Sequence, residues 1–303
     1  MRLEIIALGC YHFDMNITEQ NFKLAAIDLD GTLLGPDGHI SPANLCAVQR
    51  LQRAGVQVVL ASGRQFESMR PYADALPGVE WLVSCQGGEL SNVSRNTVIT
   101  TGFLSADLVQ ETLEMGKAQG LTTLAYAVDG IYTDADWNAD LQFYTDLASC
   151  RPVHCPVHEL FGRQIFKVIW MSTPREIERA VQQHPVNPAS IQMVRTHARF
   201  LEFMPVNVTK AAALGLLAER LGMTASETVV FGDGDNDVPM FEWAGVSVAM
   251  AHGWPAALQA ATYTTPAGPA GTALARGVDW LFDNHILRTG NPTSGCFVTT
   301  MAA

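Results

Sequence analysis

The chain has 303 residues, of which 48% are apolar and 16% charged. That balance excludes an intrinsically disordered chain, and the length is enough for about two domains. Lys and Arg number 19 against 30 Asp and Glu, a net charge of −11, which argues against nucleic acid as a partner. Cysteines stand at 10, 46, 85, 150, 155 and 296, too sparse for a disulfide scaffold. No apolar run reaches ~18 residues, so no membrane span is expected. The opening MRLEIIALGC lacks a convincing cleavage site and reads as an extension rather than a signal peptide. The expected compartment is the reducing cytoplasm, with the protein a monomer or homodimer.

Residues 1–22 show no clear period, and Met15 is a possible alternative start. Leu24 to Ile27 is a continuous apolar run, as in a strand buried on both faces. Ser41-Pro42 opens a helix carrying Leu45, Val48 and Leu51, and Gly55 stops it. Val56 to Leu60 is a second buried strand and Trp81 to Val83 a third. Strand, helix, strand in so short a span is a βαβ unit and implies a parallel sheet. From about 90 the pattern changes. A helix is expected over 105–117, a hairpin over 121–132, a strand over 166–170, a helix from Pro174 to His184, and strands over 190–194 and 199–203. The parallel pattern then resumes. Thr209 caps a helix with Leu214, Leu217 and Leu221, ended by Gly222. Strands follow over 229–231 and 246–250, a helix over 270–282, and a turn-rich tail over 283–303. The fold class is α/β, a Rossmann-like parallel sheet with an inserted α+β domain. The core is expected over 23–88 and 204–282, the insertion over 89–203.

Four places carry chemistry. Asp28 and Asp30 lie two apart in Ala26-Ile27-Asp28-Leu29-Asp30-Gly31-Thr32, where a buried strand ends. Open parallel sheets bind ligands there, and alternation turns both carboxylates the same way. Paired carboxylates need a cation or a shared proton. Ser62-Gly63-Arg64 follows the next strand and offers a hydroxyl and backbone N–H groups to an anion. Lys210 starts a helix against the favoured sign of the dipole, as a phosphate-neutralising cation would. Asp233, Asp235 and Asp237 lie in Gly232-Asp233-Gly234-Asp235-Asn236-Asp237. An EF-hand loop fails there, because Val238 stands at its sixth position and Ala244 at its twelfth. Mg²⁺ beside a substrate phosphate suits such oxygen ligands better. Cys150, His154, Cys155 and His158 lack the spacing of a structural zinc site. Arg151, Arg163, Lys167, Arg195, His197 and Arg199 give the insertion positive charge, read mostly as solvated faces. Arg195, His197 and Arg199 are the expected readers of a substrate anion.

Taken together, these motifs resemble the haloacid dehalogenase-like phosphohydrolases, most closely their Cof-like subgroup, over about residues 23–282. Asp28-Leu-Asp30-Gly-Thr32 looks like the first motif of that family, Ser62 the second, Lys210 the third and Gly232 to Asp237 the fourth. The resemblance implies a Mg²⁺-dependent phosphatase for a small phosphorylated metabolite, with the insertion as a cap. It implies Asp28 as nucleophile and Asp30 as general acid and base. It implies Mg²⁺ on Asp28, the backbone carbonyl of Asp30, and Asp233, with Asp237 in or behind that shell. Thr32, Ser62, Gly63, Lys210 and Asn236 would hold the phosphoryl group. Alternatives on the same fold are a phosphomutase or phosphotransferase and a non-catalytic binder. The chain departs from the pattern where relatives carry Asn-Gly after the third strand and it has Cys85-Gln86-Gly87-Gly88, and where Ala211 follows Lys210.

Overall fold

The computed structural model describes residues 21–160, 162–183 and 190–287. Residues 1–20, His184 and the tail from 288, on which parts of the sequence reading fall, lie outside them. The first sheet has strands β1 (Leu24–Ile27), β2 (Gln57–Ala61), β3 (Trp81–Ser84), β4 (Glu89–Asn92) and β5 (Val98–Thr100). A second sheet holds β6 (Thr122–Ala127), β7 (Gly130–Thr133), β8 (Val153–His154), β9 (Ile165–Met171), β10 (Ile191–His197) and β11 (Phe200–Pro205). The chain then returns to the first sheet with β12 (Thr228–Gly232), β13 (Val246–Ala249) and β14 (Tyr263–Thr264).

The first sheet runs β14-β13-β12-β1-β2-β3-β4-β5. From β14 to β3 the pairing is parallel, and β4 and β5 extend it antiparallel. The sheet thus continues past residue 88, where the sequence reading begins the insertion. Strand order reverses around β1, which has β2 on one side and β12 on the other, the place where such sheets bind ligands. Register fixes the neighbours of the site, with Ile27 beside both Leu60 and Phe231. The strands are buried on both faces because helices cover both. On one face lie α1 (Pro42–Arg53), α2 (Phe66–Asp74) and α9 (Ala273–Asp283). On the other are α6 (Lys210–Leu221), α7 (Val238–Trp243) and α8 (Pro255–Ala260). The Ser41 hydroxyl accepts from Asn44 N–H at the start of α1, and Thr209 accepts from Ala212 N–H at the start of α6.

The second sheet, order β10-β11-β9-β6-β7-β8, is antiparallel except for β7 with β8. Helices α3 (Ala106–Ala118) and α5 (Pro174–Gln183) pack on one face. Helix α4 (Ala139–Ala148) packs on the other, in one apolar cluster with Cys85 from the core. That second face meets the first sheet, so this domain caps the carboxyl ends of the core strands. Among the described residues no helix is long and apolar enough to cross a membrane.

Candidate active site

Asp28 follows β1 directly and its N–H donates to Phe231 O on β12 at 3.0 Å. Its side chain is buried, and Oδ1 accepts from Lys210 Nζ at 2.5 Å. Lys210, wholly buried at the start of α6, donates also to Asp237 Oδ1 at 2.6 Å. The mismatch with the helix dipole is therefore offset by two carboxylates. Asp237 Oδ2 in turn accepts from the N–H groups of Asp233 and Gly234, each at 2.9 Å. Oxygens of Asp28, Asp233 and Asp237 all lie within 4.8 Å of one another.

Electrostatics at this cluster favour a cation or retained protons. Burial pushes the Asp28 carboxyl well above the ordinary range, against the pull of Lys210 and with Asp237 and Asp233 adding to the rise. Burial, then the charge of Asp237, pushes Asp233 up to about 7. Burial opposes the charge on Lys210, but Asp237 and Asp28 hold its ammonium above the ordinary range. One ammonium among three carboxylates leaves negative charge in a low-dielectric place. The donors are all hard oxygens, so the residues fit a divalent cation such as Mg²⁺. Cys150, His154, Cys155 and His158 are not brought together as ligands; among the described residues only the aspartate triad is.

The expected residues separate into two groups. Asp28, Asp30, Ser62, Gly63, Asp233 and Asn236 line one cleft of about 750 Å³ including its mouth. Thr32 and Lys210 lie behind it, fully buried. The Thr32 hydroxyl donates to Asp233 Oδ1 at 3.1 Å, so it holds a triad carboxylate rather than facing the cleft. The Asp30 carboxylate stands outside the triad. Arg64 grips it through both ends, Nε to Oδ2 at 2.8 Å and Nη2 to Oδ1 at 2.6 Å. Arg64 is 9% exposed and the Asp30 side chain 49%, so the carboxylate keeps one side open to the cleft. Gly31 makes this turn with φ of +85°, and a Cβ there would lie 2.4 Å from Asp233 Oδ2. Only glycine brings the Asp28 strand and the Asp233 loop this close.

The cap supplies the opposite wall with Tyr126, Tyr144, Leu147, Ile169 and Phe200. Of the three expected readers, only His197 lines the cleft. Arg195 is engaged by Glu178 at 2.7 Å, and Arg199 by Asp140 at 2.5 Å and Ser172 O. Arg199 N–H donates to His197 Nδ1 at 3.1 Å, so the neutral ring carries its hydrogen on Nε2. Burial, then Arg199, keeps that ring below the ordinary imidazole range.

Lys167 corrects the reading of the cap charges as solvated faces: it is 1% exposed. Its Nζ donates to Glu202 Oε2 at 2.7 Å and across the domain boundary to Gly63 O at 2.8 Å. Glu202 also accepts from Thr196 and from Gln86 Nε2. Arg64, Gln86, Lys167 and Glu202 are thus site residues that motif reading left without a role. The available signal was a lone charge inside each of two apolar strands, Ile165–Met171 and Phe200–Pro205.

Comparison with known proteins agrees with this geometry. A family model described as haloacid dehalogenase-like hydrolase matches residues 25–275. A Streptococcus pyogenes protein assigned as a phosphatase is 30% identical over 260 residues, covering 81% of this chain and 93% of that one. The 5-amino-6-(5-phospho-D-ribitylamino)uracil phosphatase of Bacillus subtilis is 26% identical over 247 residues, covering 81% and 90%. A crystal structure of a haloacid dehalogenase-like hydrolase from Bacteroides thetaiotaomicron superposes with a TM-score of 0.73 at 26% identity, covering 86% of this chain and all of that one. The chain belongs to the haloacid dehalogenase-like hydrolases, in their Cof-like phosphatase subgroup.

Proposed function

We propose that the chain is a Mg²⁺-dependent phosphatase that hydrolyses a small phosphorylated metabolite through an aspartyl phosphate on Asp28. The observation that carries this reading is the end of β1. There a buried carboxyl opens on the cleft, clasped by Lys210 and faced by Asp233 and Asp237, while Asp30 is held apart by Arg64. Asp28 attacks phosphorus, its O–P bond forms, and the ester P–O bond breaks. Both Asp30 oxygens accept from Arg64 in this structure, so the acid step requires one of those hydrogen bonds to yield to a proton. Asp30 then gives that proton to the departing alkoxide and takes one from the water that attacks phosphorus and frees Asp28. Arg64 keeps the Asp30 carboxylate clear of the triad. Ser62, Gly63 and Asn236, which line the cleft, hold the phosphoryl oxygens, while Lys210 supplies its charge from behind Asp28.

Asp28, Asp233 and the backbone carbonyl of Asp30 would hold Mg²⁺. Both oxygens of Asp237 already accept hydrogen bonds, which supports an orienting role for it. When bound, Mg²⁺ supplies the positive charge that lowers repulsion between the anionic nucleophile and the anionic phosphate. The raised Asp28 and Asp233 carboxyls support that need.

The cap wall supports one class of leaving group over others. Tyr126, Tyr144, Leu147, Ile169 and Phe200 favour a leaving group with a flat apolar face, and His197 Nε2–H suits an acceptor on its edge. By its name, the Bacillus subtilis relative acts on a phosphate ester carrying a uracil ring. The free cysteines Cys46, Cys85, Cys150 and Cys155 support a reducing location, the cytoplasm.

The test is a panel of phosphorylated metabolites, ring-bearing and sugar esters together, assayed for released phosphate. Turnover should vanish with a chelator and return with Mg²⁺. Mn²⁺ or Co²⁺ should partly substitute, and Ca²⁺ should inhibit. Full activity after exhaustive metal removal would contradict the metal assignment.

A further inference from the structure

The turn after β3 departs from ordinary backbone. Cys85, Gln86 and Gly87 carry φ of 52°, 62° and 98° in succession. Two of the three are not glycine, and such strain persists only where the surroundings enforce it. The enforcement is visible around Gln86, which is 3% exposed. Its N–H donates to Ser62 O at 3.0 Å. Its side-chain Oε1 accepts from Asn236 Nδ2 at 3.0 Å, and its Nε2 donates to Glu202 Oε2 at 3.2 Å. Gly63 packs beneath the same amide, since a Cβ there would stand 2.3 Å from Gln86 Nε2. Gly87 presses against Thr209 O, the residue before Lys210, at 2.1 Å from where a Cβ would be. One residue therefore touches three segments of the site.

The direction of the hydrogen bonds is set from the cap. Glu202, paired with Lys167, is an acceptor only. The end of Gln86 facing it must therefore be the NH₂ group, which turns Oε1 toward Asn236. Asn236 must then present its own NH₂ group to Gln86. That group keeps a second hydrogen, on a residue that lines the cleft. A Gln86 amide turned the other way would draw the Asn236 carbonyl oxygen to this point and take the NH₂ group away.

We propose that Gln86 is a positioning residue: the cap carboxylate Glu202 sets the polarity of its amide, which makes Asn236 present a hydrogen-bond donor to the phosphoryl group. Seating the cap and completing the anion cradle are then one event. The proposal rests on the reading of Asn236 and Gly63 as phosphoryl holders.

The experiment measures inhibition by inorganic phosphate of p-nitrophenyl phosphate hydrolysis, with kcat and KM. It compares the wild-type chain with Gln86→Leu, Gln86→Met, Glu202→Ala, Asn236→Ala and the Gln86→Leu/Asn236→Ala double variant, each checked for cooperative unfolding. Gln86→Leu and Glu202→Ala, which removes the acceptor that Gln86 Nε2 and Lys167 share, should each weaken phosphate inhibition and raise KM about tenfold, the worth of one hydrogen bond to a charged group. Glu202 touches no phosphate in this reading, so its effect separates positioning from contact. The double variant should be no worse than Asn236→Ala alone, because Gln86 acts through that residue. Should Gln86→Leu fail to fold, Gln86→Met and Glu202→Ala carry the same expectation, since each removes a partner that fixes the Asn236 amide. Unchanged phosphate inhibition in folded Glu202→Ala and in the folded Gln86→Leu or Gln86→Met variant of an active enzyme overturns the proposal, as do additive losses in the double variant. A wild-type chain that neither releases nor binds phosphate refutes the underlying reading, and the proposal falls with it.

Discussion

Two aspartates two residues apart meet different surroundings. Asp28 is buried against Lys210 and the acidic loop, whereas Asp30 is half exposed and clasped by Arg64. Under the proposed mechanism Asp30→Asn keeps the nucleophile and removes proton transfer, so turnover should fall ~10²–10⁴-fold on an alkyl phosphate. The fall should be much smaller on p-nitrophenyl phosphate, whose leaving group needs little protonation. Equal losses on both esters would contradict the acid role. The triad also predicts a pH dependence. Asp233, pushed up to about 7, is harder to ionise folded than unfolded. In the metal-free chain its ionisation therefore withdraws stability as pH rises from the ordinary carboxylate range toward 7. A bound divalent cation favours the ionised form. The increase in melting temperature given by Mg²⁺ should thus grow from about pH 5 to about pH 7.5. A pH-independent increase would argue against cation binding at this carboxylate.

The turn after β1 shows how elements set those distances. Gly31→Ala puts a side chain at positive φ and against Asp233, a strain of order 1–3 kcal/mol. It should lower the melting temperature and raise the Mg²⁺ concentration needed for half-maximal turnover; an unchanged Mg²⁺ requirement would free the turn from any part in the metal site. Elements of this kind were legible in sequence because β1, β2 and β12 are continuous apolar runs and because Ser41, Thr209 and Gly222 mark helix ends. Short or mixed elements were not. Helix α2 contains Pro71, α7 and α8 have six residues each, β5 is a three-residue edge strand, and β4 beside it has no apolar run. Partnerships distant in sequence were equally hidden. Arg64 stands in a recognised motif, but its partner Asp30 is 34 residues away. Lys167 and Glu202 are 35 apart, and only the sheet brings them together. His197 could not be told from Arg195 and Arg199 by pattern, since the strand register shifts between 195 and 197.

At the scale of the whole molecule, the core carries the aspartate cluster and the cap forms the facing wall of its cleft. The seat between them adds polar contacts to the apolar cluster that Cys85 shares with the cap. Arg64 Nη2 donates to Leu147 O at 3.2 Å, Gln65 Nε2 to Ala127 O at 3.0 Å, and Lys167 Nζ to Gly63 O at 2.8 Å. Substrate choice should therefore lie in the cap. His197→Gln should reorder kcat/KM across a panel of esters more than it changes inhibition by inorganic phosphate, whereas a uniform loss on every ester would place the residue in the chemistry instead. The central claim is that the phosphoryl group passes through Asp28 on its way to water. Acid quench of the enzyme during turnover with Mg²⁺ and an ester, followed by borohydride reduction, converts a phosphorylated aspartate to homoserine that peptide mass spectrometry can locate. The account predicts homoserine at position 28, dependent on substrate and absent from Asp28→Asn. Homoserine at Asp30 or Asp233, or full turnover by an Asp28→Asn chain of confirmed mass, would contradict it.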